Sequence, residues 1–237
     1  MIGSLSVGVV MPALDEVGVI GPTLESIPGD IVDVVWVADN GSVDDTAAEA
    51  EAHGARVVSE PRRGYGAACQ AALREMRRGG PPDAVVFIDA DGSQPIDELP
   101  LLLGPIADDE ADFVIGVRRF ADIPSHVYIG NRVSCMILHW LTGHKFRDLG
   151  PFRAIRFESL QSLALRDLDY GWNVEMQARA VAARLRIREV PVSHRPRKAG
   201  RSKISGSLVG TFRAGGKIIL TSVREGWRAR RSARRHG

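Results

Sequence analysis

The chain has 237 residues, 44% hydrophobic and 25% charged, with a net charge of +2. That is ordinary globular composition with enough chain for one substantial core, and it excludes disordered, fibrous and disulfide-built classes. The small net charge hides an asymmetry: positions 200–237 hold ten Lys/Arg against Glu225 alone, so a +9 end follows a −7 body.

The first residues carry no basic side chain ahead of the apolar run, and 7–11 reads as a first strand rather than a signal peptide. A helix is predicted over 17–27 and a Val/Ile-rich strand over 31–38. Ala and Glu predict a helix over 43–53, with Ser42 or Asp44 as N-cap. A short strand at 56–58 precedes an Ala-rich helix at 64–78, which ends at Gly79-Gly80-Pro81-Pro82. Strand 84–89, helix 96–106 and strand 112–117 complete a βαβα order. That order predicts an α/β fold, a mostly parallel central sheet with helices on both faces.

The second half is less regular. Helices are predicted over 126–141 and 172–184, and strands over 152–156 and 186–190, the last stopped by Pro191. A basic Gly/Ser loop fills 196–205. From 207 to 228, Leu208, Phe212, Ile219, Val223 and Trp227 recur at helical spacing. The predicted organisation is a main α/β unit at 1–206 and an amphipathic helix with a basic tail at 207–237. No apolar run reaches the ~18 residues a membrane span needs. Trp36 and Trp140 are assigned to the core, Cys69 to packing, and His126, His139, His144 and His194 to surface or structural positions. The two cysteines, Cys69 and Cys135, imply no disulfide framework and fit a cytoplasmic location.

In an open parallel sheet, ligands bind beyond the carboxyl ends of the strands. Four predicted strands deliver charged loops there: Pro12-Ala13-Leu14-Asp15-Glu16, Asp39-Asn40-Gly41-Ser42-Val43-Asp44-Asp45, Asp89-Ala90-Asp91 and Arg118-Arg119. Asp89 and Asp91 are spaced two apart, which in extended backbone puts both carboxylates on one face. Such hard oxygen ligands suit Mg2+ or Mn2+. The alternative for these acids is a turn with helix-capping carboxylates. No zinc spacing, aromatic RNA-binding strand or helix-turn-helix pattern supports nucleic acid as a partner.

These motifs, taken with Arg63-Gly64-Tyr65-Gly66-Ala67, Asp148-Leu149-Gly150-Pro151-Phe152 and Gly200-Arg201-Ser202-Lys203, resemble glycosyltransferase family 2 over about 7–206. Within it the likeness is to polyprenyl-phosphate (dolichyl-phosphate) hexosyltransferases. The resemblance implies the GT-A fold, a Rossmann-like nucleotide-sugar-binding fold, and an inverting, metal-dependent transfer of a hexose. Pro12, Ala13, Leu14, Asp15, Glu16, Asp39, Asn40, Gly41, Gly64, Gly66, Asp89, Ala90 and Asp91 would border the donor. Asp39 would read the base imide. Its alternative is a strand-end cap, as Glu16's is a helix first turn and that of Gly64 and Gly66 simple helix-start geometry. The family usually has Lys where this chain has Tyr65, leaving Arg63 to supply that charge.

Asp89 and Asp91 are the implied metal ligands. Asp-Ala-Asp-Gly-Ser, with Gln94 one place later than in the mannosyl branch, leans the donor toward UDP-glucose, with GDP-mannose as competitor. Arg118, Arg132, Ser134, Arg201 and Lys203 are the implied clamp for an acceptor phosphate, since guanidinium groups match phosphate oxygens. Asp148 would be the base if the acceptor were a hydroxyl, and otherwise would contact metal or sugar. Glu175 would bind sugar hydroxyls, or is an exposed helix acid. The expected acceptor is a polyprenyl phosphate. The alternatives are a soluble acceptor, or a non-catalytic nucleotide-sugar-binding or membrane-docking protein. The basic C-terminal helix fits an anionic membrane surface at the inner face, a packed helix, or a dimer contact.

Overall fold

The computed structural model describes residues 5–119, 122, 125–195 and 208–233. A seven-stranded sheet runs in the order β3-β2-β1-β4-β6-β5-β7. Its strands are β1 (Val7–Ala13), β2 (Val34–Asp39), β3 (Arg56–Ser59), β4 (Ala84–Phe87), β5 (Phe113–Arg118), β6 (Arg153–Arg156) and β7 (Ile187–Val192). Only β6 is antiparallel, pairing with β4 on one side and β5 on the other. The other six strands point the same way, so their carboxyl ends share one edge.

The helices are α1 (Ile20–Glu25), α2 (Thr46–Ala52), α3 (Tyr65–Arg78), α4 (Leu99–Ala107), α5 (Ser125–Thr142), α6 (Phe157–Ser162), α7 (Trp172–Ala182) and α8 (Leu208–Ala233). Residues alternate between two apolar layers because a strand's side chains alternate faces. Val7, Val9 and Met11 of β1 join Ile20, Leu24, Leu99, Leu102 and Ile106 on one side. Val10, with Val85 and Phe113, meets Cys69, Met76, Leu138, Trp172 and Met176 on the other. Burial on both faces explains the near-continuous Val/Ile runs that mark these strands.

Several expectations need correction. Pro191 does not stop a strand: β7 runs through it, pairing Val117 with Pro191. β7 lies at the sheet edge, where a missing N–H is tolerated. Helix α6 has too short an apolar pattern to be foreseen. Trp140 is 72% exposed rather than core. Trp36 is partly buried against the second apolar layer, with the Arg56 guanidinium 5.7 Å from its ring centre. Cys69 is fully buried, as expected. The N-cap position of α2 is Asp45, while Asp44 Oδ1 accepts the Thr46 N–H at 3.1 Å.

Candidate active site

The loops after β1 and β2 are stitched together. The Asp15 N–H donates to Ser42 Oγ at 2.9 Å, and the Val43 N–H donates to Asp15 Oδ1 at 2.8 Å. The Glu16 N–H donates to Thr46 Oγ1 at 2.8 Å, and the Glu16 carbonyl starts α1 by accepting from Val19 and Ile20. Asp15 holds a left-handed backbone with φ 47°, which Asp tolerates better than most residues. Pro12 and Ala13 lie within β1, in register with Ala38 and Asp39 of β2. Leu14 is half-buried beyond them.

Asp39 is 8% exposed and accepts the Ser42 N–H at 3.2 Å. Asn40 organises the loops instead of facing a ligand. Its amide nitrogen donates to the carbonyls of Glu60 and Arg62 at 2.9 and 2.8 Å, and its amide oxygen accepts the Gly64 N–H at 2.8 Å. Gly41 turns with φ 79°, and the exposed Arg63 guanidinium lies beside it.

Gly64 and Gly66 lie against another stretch of the chain. A Cβ on Gly64 would stand 2.1 Å from the Leu168 carbonyl oxygen, and one on Gly66 2.2 Å from that of Asp167. The Ala67 N–H, at the start of α3, already donates to Leu168 O at 3.0 Å. The glycines admit another stretch of this chain, and that stretch caps the helix.

After β4, Asp89 is clamped by the Gln94 side chain. The Asp89 N–H donates to Gln94 Oε1 and Gln94 Nε2 donates to Asp89 Oδ2, both at 2.9 Å. Asp91 is 5% exposed, and its Oδ1 accepts the Ser93 N–H at 2.9 Å. Ala90 is buried between them.

The Arg195 N–H donates to Ser93 O at 2.9 Å, which brings His194 to this loop from the end of β7. Burial, and then Arg118, push the His194 imidazole below its usual pKa, against the pull of Asp91, Asp122 and Asp148. A neutral imidazole is a metal ligand. Among the described residues no three His, Cys, Asp or Glu are grouped so as to hold a metal ion. The carboxylates of Asp89 and Asp91 are hard oxygen donors, a pair that fits Mg2+ or Mn2+, which one or two carboxylates can hold together with substrate phosphate.

At the end of β5, Arg118 grips Asp148: Nε donates to Oδ2 at 2.8 Å and Nη2 to Oδ1 at 3.0 Å. Asn131 Nδ2 donates to Oδ1 at 2.9 Å, and the Leu149 N–H adds a further bond at 2.8 Å. Burial alone would raise the Asp148 carboxyl, but the Arg118 hydrogen bonds and charge outweigh it, so the group sits below the usual carboxylate range. Beneath it lies Arg153, fully buried and bonded to the carbonyls of Leu149, Gly150 and Asn173. Burial lowers its pKa to about 10.

Arg132 is exposed on α5, next to Asn131. Ser134, two residues on, is fully buried; residues two apart do not share a helix face, so it is a packing residue rather than a phosphate contact. Glu175 is likewise neither exposed nor open to a sugar. It is fully buried, accepts the N–H groups of Arg166 and Asp167 at 2.9 and 2.6 Å, and pairs with Arg179 at 2.6 Å. Arg119 pairs with Asp122. Arg201 and Lys203 lie outside the described residues. The sequence reading missed Asn131 as a partner of Asp148, and Gln94 as the side chain that clamps Asp89.

Acidic loops, a two-carboxylate motif and an arginine–aspartate pair on the carboxyl edge of this mixed sheet define a glycosyltransferase of the GT-A fold. Solved structures agree: glucosyl-3-phosphoglycerate synthase from Mycobacterium tuberculosis, in complex with Mn2+, UDP and glucosyl-3-phosphoglycerate, superposes with a TM-score of 0.75. That match is 26% identical and covers 94% of this chain and 80% of the other. The same enzyme was also crystallised with Mg2+ and UDP. The family model for glycosyl transferase family 2 matches residues 8–164, and the chain belongs to that family. An uncharacterised glycosyltransferase of Mycobacterium tuberculosis (strain ATCC 25618 / H37Rv) is 38% identical over 211 residues, covering 87% of this chain and 93% of that protein. The undecaprenyl-phosphate mannosyltransferase of Micrococcus luteus is 32% identical over 195 residues, covering 74% and 77%.

Proposed function

We propose that this glycosyltransferase moves a hexose from a nucleotide sugar, UDP-glucose in preference to GDP-mannose, to a polyprenyl phosphate, with inversion at the anomeric carbon. The observation that carries the acceptor class is the state of Asp148. A hydroxyl acceptor needs a general base. Asp148, the acid assigned that task, has both oxygens occupied, and Arg118 lowers its pKa and so makes it a weaker base. A phosphate oxygen is already anionic and needs only placement and charge neutralisation.

Asp39 would accept from the base imide, while Asp15 and the Pro12–Leu14 stretch border the nucleoside. Asp91 and Asp89 would hold Mg2+ or Mn2+, which when bound supplies charge neutralisation to the departing diphosphate. Arg118, fixed in direction by Asp148, and the exposed Arg132 would take the acceptor phosphate. Arg201 and Lys203 are proposed for the same role from their motif.

The mannosyltransferase relative supports a lipid phosphate acceptor and keeps mannose in play. The synthase neighbour supports UDP-glucose and favours a second reading, a soluble phosphorylated acceptor. The test is incubation with Mn2+, labelled UDP-glucose or GDP-mannose, and either a short polyprenyl phosphate or 3-phosphoglycerate. Label entering the organic phase is expected. Label transferred only to the soluble acid, which would accept through a hydroxyl, would overturn both the lipid acceptor and the phosphate-oxygen reading, and so would transfer to neither.

A further inference from the structure

We infer that the outer surface of the α5–α8 pair is a docking face for an anionic lipid bilayer. The two helices pack against each other. Leu141 and Gly226 mark a close approach, since a Cβ on Gly226 would lie 2.6 Å from Leu141 Cδ1. Both helices leave large apolar side chains in water. On α5, Ile129, Met136 and Trp140 are 60%, 64% and 72% exposed, at spacings of seven and four that trace one stripe. On α8, Leu220, Val223 and Trp227 are exposed at spacings of three and four. Trp140 and Trp227, the chain neighbours of Leu141 and Gly226, are 72% and 45% exposed.

The charge on this face has one sign. Helix α5 contains no Asp or Glu, and α8 contains six Lys/Arg and a single acid, Glu225. Glu225 is 1% exposed and turned inward to Arg179, with Arg224 and Arg228 also drawn to it. The exposed surface of the pair therefore offers apolar side chains, two tryptophans, Arg132, Arg224 and Arg228, and no carboxylate.

That combination selects the occupant. A second copy of the chain on a two-fold axis would bring basic face to basic face, with no exposed acid on either helix for the other copy to pair with. An anionic bilayer supplies the opposite charge at its headgroups, an interfacial zone that favours Trp, and an apolar interior for the stripe. The inference is independent of the acceptor, because docking requires no transfer.

The test is flotation of the full chain with phosphatidylcholine vesicles, with and without phosphatidylglycerol. Binding is expected only to the anionic vesicles and should weaken as salt rises. Replacing Trp140→Glu together with Leu220→Glu should lower the bound fraction by about tenfold, with an unchanged thermal melt showing that the fold is kept. Absence of binding to anionic vesicles, or equal binding by the double variant, would overturn the inference. So would light scattering that shows a dimer which these substitutions dissociate; that would assign the face to a second copy.

Discussion

Arg118 and Asp148 meet through two parallel hydrogen bonds, 2.8 and 3.0 Å long, with the carboxylate 4% exposed. A buried pair of this geometry fixes the guanidinium in direction, and breaking it strands a charge. Asp148→Asn is expected to cost about 3–5 kcal/mol of folding free energy, read by urea denaturation, and to abolish transfer.

The same carboxyl gives a pH signature. Its native pKa is lowered, so its stabilisation is complete above the free-carboxyl value of about 3.9 and is lost as pH falls through the native value. The stability gap between the wild type and Asp148→Asn should therefore narrow on acidification below pH ~4. A gap that stays constant down to full protonation would refute the pairing.

Gln94 holds Asp89 by both its backbone N–H and its side chain. Gln94→Ala should lower Mn2+ affinity by about 10–100-fold, the usual penalty for losing a partner behind a ligand. Calorimetry of UDP binding should show the loss with Mn2+ present and little change without it. Asp91→Ala should remove the Mn2+ dependence altogether.

Gly64→Ala and Gly66→Ala each place a methyl group about 2 Å from a carbonyl oxygen of the 167–168 segment. Each should lower stability by about 1–3 kcal/mol, seen as a reduced Tm. Gly64→Ala should cost more, because its φ of 142° is also unfavourable to an L side chain.

Arg153→Met removes the donors that satisfy the Leu149, Gly150 and Asn173 carbonyls inside the core. Each orphaned acceptor costs about 1–3 kcal/mol, so the variant should unfold at markedly lower urea. Arg153→Lys should recover only part of the loss, because one ammonium cannot reproduce the planar fork.

The sheet was legible because strands covered on both faces read as Val/Ile runs and helices between them as Ala-rich stretches. The edge that carries the chemistry followed from strand direction, so Asp15, Asp39, Asp89, Asp91 and Arg118 could be placed before any coordinates. What the sequence hid was tertiary. Gly64 and Gly66 face residues a hundred positions away, and no local pattern encodes that approach. Glu175 looks like a solvated helix acid until the 166–167 backbone closes over it. Pro191 masked the end of β7, because proline's rule for central strands does not hold at an edge. Trp140 sits at helical spacing with core residues, and only its rotation about α5 shows that it faces water.

The Asp167–Leu168 segment is gripped from two sides. Lys217 and Arg224 of α8 approach the Asp167 carboxylate at 3.5 and 3.6 Å, while its backbone presses on Gly64 and Gly66. Gly64 in turn bonds to Asn40, the neighbour of Asp39. Helix α8 is thus a buttress wedged behind the loops that follow β2 and β3 rather than an appendage. A chain cut before Leu208 would leave the 5%-exposed Asp167 carboxylate stripped of both cations, and the slackening would be transmitted to Asp39, the residue proposed to read the base.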